Sequence, residues 1–196
     1  MEIAAITIIC LNFAYIGYLI LFFFAKKKSI NLRVILCSLP LALWMIPCSG
    51  IYYNYLTPSI AVHSILYLCM TILGAECACG SIIILSLAWA AHQTPPCIWH
   101  QNNLQPQALI THGIYHYIRH PFYSAYVLSQ IACLLIAPHP LQLCVLIWQI
   151  TAIYYTATIE ENQLLHGPLA KQYQQYQQIT GQFIPHISCY IKTFRK

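Results

Sequence analysis

Five long apolar stretches alternate with short polar segments along this chain. They cover about residues 3–25, 32–52, 61–91, 121–137 and 141–159. A helix needs roughly 20 consecutive apolar residues to cross a bilayer, and most of the stretches approach or exceed that length. The pattern therefore predicts an all-α integral membrane protein with about five transmembrane helices.

The polar segments divide the chain into two parts. Residues 1–91 hold three of the predicted helices and little else, so we interpret them as a transmembrane scaffold. Residues 92–196 hold the other two, joined by Pro138-His139-Pro140, a connection short enough to make them a tight helical hairpin. Residues 92–120 and 160–196 leave room for structure outside the membrane, so we expect a pocket in this C-terminal half.

The positions of the basic residues predict the orientation in the membrane. With five spans, all nine Lys and Arg residues lie on one side, and basic loops face the cytoplasm. We therefore expect the N-terminus outside and the C-terminus and pocket in the cytoplasm, in a bacterial inner membrane or alternatively the endoplasmic reticulum. The basic residues are Lys26, Lys27, Lys28, Arg33, Arg119, Lys171, Lys192, Arg195 and Lys196.

Composition excludes several other classes of protein. Only 7% of the residues are charged, against about 25% in soluble domains. Topology and anionic lipids account for the net charge of +5, so nucleic acid is not an expected partner. The ten cysteines lie mostly within apolar stretches and lack zinc-ligand spacing, so we predict neither a disulfide framework nor a metal site.

A polar cluster precedes the fourth apolar stretch. Pro121 favours a helix that starts there, which makes His120 the expected N-cap and puts Arg119 just outside. Tyr123 lies in the first turn. A helix N-terminus beside a guanidinium can bind a carboxylate or phosphate, so we predict an anion site here.

Two acids end the fifth apolar stretch. Glu160 and Glu161 lie at the same end of the predicted hairpin as Arg119. Adjacent helix positions differ by about 100°, so one carboxylate can face a pocket while the other faces water. A zwitterionic ligand would match the resulting pair of charges. The alternative is that Arg119 and the glutamates form only interfacial ion pairs.

The last polar segment has helical periodicity. Leu165, Leu169, Tyr173 and Tyr176 form one apolar stripe, and the opposite face is mostly glutamine. Gly181 is placed to end this helix. We expect it to lie on the membrane surface or to cover a pocket.

Several short motifs occur in an order that resembles the C-terminal core of the isoprenylcysteine carboxyl methyltransferase family, which is similar to the membrane phospholipid N-methyltransferases. The resemblance covers about residues 105–187. The motifs are Gly113-Ile114-Tyr115, Arg119-His120-Pro121 with Tyr123, Glu160-Glu161 with Leu164, Tyr173 with Tyr176, and Ile184-Pro185.

The resemblance implies a methyltransferase that uses S-adenosylmethionine. A strand-like lead-in before Gly113 and the side chain of Tyr115 would hold the nucleoside, and Arg119 and His120 the amino-acid end. The implied cofactor-binding residues are Gln107, Ala108, Leu109, Ile110, Gly113, Tyr115, Arg119, His120, Tyr123, Glu160 and Glu161. His120 and Glu161 are the catalytic candidates if a proton must be removed.

The methyl acceptor and the class of protein stay open at this point. A small or lipophilic acceptor is expected, either an isoprenylcysteine-like carboxylate, a phospholipid amine or another group. The alternatives are an NADPH-dependent membrane reductase of the sterol reductase type and a non-catalytic membrane binding protein. Glu76, an acid within the third apolar stretch, could line an acceptor tunnel or bond to a neighbouring polar side chain.

Overall fold

The part of the chain described by the computed structural model is helical. It comprises residues 6–7, 10–11, 14–15, 39–40, 43–53, 55–61, 64–92 and 108–186. Apart from a short 3-10 turn at Gly113–His116 and one isolated β-bridge, its regular structure is α-helix, which confirms the predicted all-α class. The helices are α1 Met45–Tyr52, α2 Ile65–Ala90, α3 Pro121–Ile136, α4 Pro140–Leu165 and α5 Ala170–Ile179.

Two of these helices, α2 and α4, are long and apolar enough to cross a membrane, with 26 residues each. The shorter α3 has 16 residues. Most of the first predicted span and part of the second lie outside the described residues. A membrane protein is therefore supported, and the number of five spans stays a prediction.

The helix boundaries follow the apolar stretches except at one place. Helices α2 and α3 lie within the third and fourth predicted spans. Helix α4 continues beyond Ile159 to Leu165, so Glu160 and Glu161 lie inside it rather than at its end. Other side chains satisfy both carboxylates there, so the charges do not terminate the helix.

The first of two compact units comprises residues 1–82 and 126–153. Gly74 of α2 lies so close to α3 that a Cβ atom there would be 2.7 Å from Ile136 Cγ1. Buried glutamines add polar contacts: Gln142 Nε2 donates to Gln130 Oε1 at 3.0 Å, and Gln130 Nε2 donates to the Pro40 carbonyl at 3.2 Å. Such pairing is needed because an unpaired polar group is costly among apolar helices.

The second unit comprises residues 83–125 and 154–196. Tyr173 and Tyr176 of α5 pack with Leu164 of α4, which confirms the predicted apolar stripe for these two tyrosines. Leu165 ends α4 and Leu169 precedes α5, so the stripe does not lie on one helix. Beyond α5 the chain turns at Gly181, where a Cβ atom would lie 1.8 Å from the Ile184 carbonyl oxygen. Glycine at this position therefore allows the turn.

This turn lies alongside the segment that precedes α3. The Arg119 amide donates to the Gly181 carbonyl at 2.8 Å, and the His120 amide donates to the Gln182 carbonyl at 3.0 Å. The pairing fixes the backbone of both residues of the predicted anion site.

Candidate functional site

The second unit brings the start of α3 against the C-terminal part of α4. Arg119 Nε lies 3.0 Å from Glu161 Oε1, and Arg119 Nη2 lies 3.2 Å from Glu161 Oε2. This is a bidentate pair, the strongest geometry for an arginine and a carboxylate. The predicted meeting of Arg119 with the glutamates is therefore observed.

Four donors surround the Glu161 carboxylate. Besides the two from Arg119, His120 Nε2 lies 3.1 Å from Oε1, and Gln177 Nε2 donates to Oε2 at 2.9 Å. Each oxygen thus has two partners, which matches the acceptor capacity of a carboxylate. Glu161 follows the apolar stretch that ends at Ile159. Burial raises the pKa of Glu161, but hydrogen bonds from His120 and Arg119, together with their charges, lower it to about 2.

The rest of the Arg119 guanidinium binds backbone carbonyls. Nη1 donates to the Thr180 carbonyl and, at 3.5 Å, to the Gln177 carbonyl. The anion that Arg119 binds is therefore the protein's own Glu161. This agrees with the ion-pair alternative, except that both side chains are only 11% exposed and the pair is not a surface one.

Glu160 lies in the same cluster. The Tyr123 hydroxyl donates to Glu160 Oε1 at 2.7 Å, and His120 Nδ1 lies 3.7 Å from Glu160 Oε2. Counted over the whole residue, Glu160 is 4% exposed and Glu161 is 8% exposed. The prediction that one of the two faces water is wrong: Tyr123 of α3 binds Glu160, and Arg119 and His120, which precede α3, bind Glu161.

The His120 ring is held from several directions. It stacks on Tyr123 with a centroid distance of 5.4 Å and an interplanar angle of 11°. Phe183 lies 5.8 Å from it, and Ser124 Oγ fixes the Phe183 backbone by donating to its carbonyl at 2.7 Å. Residues 181–186 also line a groove of about 440 Å³, so Phe183 contacts both the groove and the His120 ring.

Tyr115 belongs to a second polar contact in the same unit. Its hydroxyl lies 2.9 Å from His92 Nε2, and its carbonyl accepts a hydrogen bond from the Tyr176 hydroxyl. Burial raises the pKa of Tyr176, which keeps this donor protonated. Burial, together with nearby His112, lowers the pKa of His92.

The remaining predicted residues are spread over the lead-in to the 3-10 turn. Gln107 lies outside the described residues. Ala108 is exposed, Ile110 is half-buried, and Leu109 packs against the core of Leu164, Tyr173 and Tyr176. This lead-in has no regular secondary structure, so it is not a strand. Gly113 adopts a φ of +59°, which favours glycine.

Several contributors were not predicted from the sequence. His92, Gln177, Thr180 and Phe183 contact the predicted residues, yet no motif marks them. The only available signal was the position of Gln177, four residues after the stripe residue Tyr173 on a helix. Glu76 lies in the first unit and is exposed on α2.

Comparison with known families agrees with the motifs. Residues 78–166 match the model of the Isoprenylcysteine carboxyl methyltransferase (ICMT) family, which confirms the resemblance for this stretch, a little under half of the chain. The stretch is thus similar to membrane methyltransferases. It includes Arg119, His120, Tyr123, Glu160 and Glu161, whereas Gln177 lies beyond it. No curated protein matches the chain.

Proposed function

We propose that this protein is an integral membrane methyltransferase that uses S-adenosylmethionine, and that the cluster around Glu160 and Glu161 binds the cofactor. The observation that carries the proposal is the buried cluster itself: two carboxylates beside His120, one of them paired with the Arg119 guanidinium, within the family match. Arg119, His120 and Tyr123 complete the proposed site.

The balance of charge supports this cofactor. S-adenosylmethionine carries a sulfonium, an ammonium and a carboxylate, so it is a net cation. Arg119 compensates Glu161, and Glu160 adds a further acid next to the rings of His120 and Tyr123. An acidic group beside aromatic faces suits a cationic ligand.

The same balance argues against a nicotinamide cofactor. NADPH carries several phosphate charges and needs basic groups. Among the described residues of the second unit, the Lys and Arg side chains are Arg119, which is bound to Glu161, and the exposed Lys171. Neither forms a phosphate site together with the cluster, so we favour the methyl donor.

The contacts favour roles in building the binding site, rather than in proton transfer, for His120 and Glu161. When bound, the cofactor would supply an electrophilic methyl group to the acceptor, with S-adenosylhomocysteine as the leaving group. The acceptor positions of Glu161 are occupied, and both nitrogens of His120 face carboxylates. An acceptor that offers a lone pair without losing a proton needs no base from these residues.

We infer that the methyl acceptor is small or lipophilic and enters from the bilayer. The apolar character of α2 and α4 supports this access route. Residues 1–91 then act as the scaffold, and the site faces the cytoplasm with the N-terminus outside. The bacterial inner membrane is the favoured location and the endoplasmic reticulum the alternative.

Calorimetric titration of the purified protein with S-adenosylhomocysteine tests the proposal. We expect binding by the wild type and at least about tenfold weaker binding by Glu160→Gln, Glu161→Gln and His120→Ala, since one lost charge-assisted contact costs about 1.5–3 kcal/mol. Gln163→Ala, at an exposed position of α4, is the matched control and should bind like the wild type.

Two results would contradict the proposed cofactor. One is that the wild type does not bind S-adenosylhomocysteine, while circular dichroism shows a helical protein. The other is that the wild type binds NADPH in the same assay, which would favour the alternative of a membrane reductase.

A further inference from the structure

One residue of the glutamine-rich segment differs from the others. Gln172, Gln174, Gln175 and Gln178 are exposed on α5, whereas Gln177 is partly buried. A run of this composition is typical of a solvated helix face. Gln177 departs from that pattern because its side chain lies against α4 instead.

Gln177 contacts both members of the buried ion pair. Its side-chain Nε2 donates to Glu161 Oε2 at 2.9 Å, and its backbone carbonyl accepts from Arg119 Nη1 at 3.5 Å. Gln177 therefore connects α5 to Glu161 of α4 and to Arg119, which precedes α3.

The side-chain contact completes the donor set of the carboxylate. Without it, Glu161 Oε2 keeps only Arg119 Nη2, at 3.2 Å. A buried carboxylate that lacks a donor is costly, so it rotates toward another donor or admits water. Either change moves the contact between Glu161 and His120.

We propose that Gln177 is a positioning residue that fixes the Glu161 carboxylate for cofactor binding. This inference rests on the proposed function, because the bound ligand is taken to be S-adenosylmethionine. Gln177 acts through Glu161 and needs no contact with the ligand. The property that matters is an N–H donor that reaches Glu161 Oε2 from position 177.

Three substitutions separate the donor from the packing. Gln177→Met keeps the length and removes the donor, Gln177→Lys keeps a donor, and Gln178→Met is the exposed control. We expect Gln177→Met to bind S-adenosylhomocysteine about tenfold more weakly, or about 1.4 kcal/mol. Gln177→Lys and Gln178→Met should stay within about threefold of the wild type, since they keep a donor to Glu161.

The melting temperature without ligand provides the readout of structure. A purely structural role predicts that affinity follows the melting temperature, whatever the side chain at position 177. A positioning role predicts that Gln177→Lys binds S-adenosylhomocysteine more tightly than Gln177→Met does, even if the two variants have the same melting temperature. Equal affinity of Gln177→Met and the wild type would overturn this inference alone. A wild type that binds no S-adenosylhomocysteine would instead overturn the proposed function.

Discussion

Glu161 is the residue on which most contacts of the cluster converge. It accepts hydrogen bonds from three residues of two segments: Arg119 and His120 before α3, and Gln177 on α5. Such a carboxylate is more stable ionised in the folded state than in the unfolded chain. Its protonation is therefore linked to the stability of the fold.

The depressed pKa of Glu161 predicts acid sensitivity. Its pKa falls from an ordinary 4.5 to about 2 in the folded protein. The stabilisation is fully present above pH 4.5 and is lost as the pH falls through the folded pKa. The reason is that Glu161 takes up a proton at a higher pH in the unfolded chain than in the folded protein, so acid favours unfolding. We expect the melting temperature of the wild type to drop over this interval.

Thermal unfolding in detergent micelles between about pH 2 and pH 7 measures this effect, with Glu161→Gln as the control. The variant lacks the titrating group, so its melting temperature should fall less steeply over the same interval. Parallel curves for the two proteins would show that Glu161 does not contribute to the pH dependence.

Helices α2 and α3 show how glycine controls packing in the first unit. A Cβ atom at Gly74 would lie 2.7 Å from Ile136 Cγ1 and 3.1 Å from the Ala132 carbonyl oxygen. At Gly80 the nearest atom, Leu128 Cδ2, would be 3.3 Å away. Small residues let membrane helices approach this closely.

We expect Gly74→Ala to destabilise the protein by about 1–3 kcal/mol, because the added methyl group meets a backbone carbonyl. Gly80→Ala should cost less than about 1 kcal/mol, since the flexible end of Leu128 can move. Thermal unfolding of the two variants side by side is the measurement. A larger loss for Gly80→Ala would contradict the close packing at Gly74.

The elements differ in how far the sequence predicts them. The apolar runs locate α2 and α3, and the periodicity of Tyr173 and Tyr176 identifies the buried face of α5. The end of α4 was not predictable from local sequence, because an acid pair near a helix end is unfavourable unless distant partners compensate it. Those partners, Arg119 and His120, are about forty positions away in the chain.

The same limit applies to the candidate site. The motifs locate Arg119, His120 and the two glutamates, since charged residues are rare in this chain. Nothing local distinguishes Gln177 from its neighbours, because five glutamines share one segment and only the packing of α5 selects one of them. Tertiary contact decides its role.

At the scale of the whole molecule, the distribution of basic residues predicts the topology. All nine Lys and Arg residues fall in segments that five spans put on one side. We expect a green fluorescent protein fused after Lys196 to fluoresce, because that fusion partner folds in the cytoplasm. An alkaline phosphatase fusion at the same position should be inactive, and an active one would invert the predicted orientation.

The order in which the ribosome makes the chain gives the Arg119 contacts a further consequence. Arg119 is synthesised well before Glu161, and Glu161 before Thr180, whose carbonyl also binds the guanidinium. Chains emerge from the N-terminus onward, so the growing polypeptide holds an uncompensated cation until its last helices arrive. A nascent chain that stalls before Glu161 therefore carries Arg119 without its carboxylate partner, and one that stalls before Thr180 lacks a carbonyl acceptor for the guanidinium.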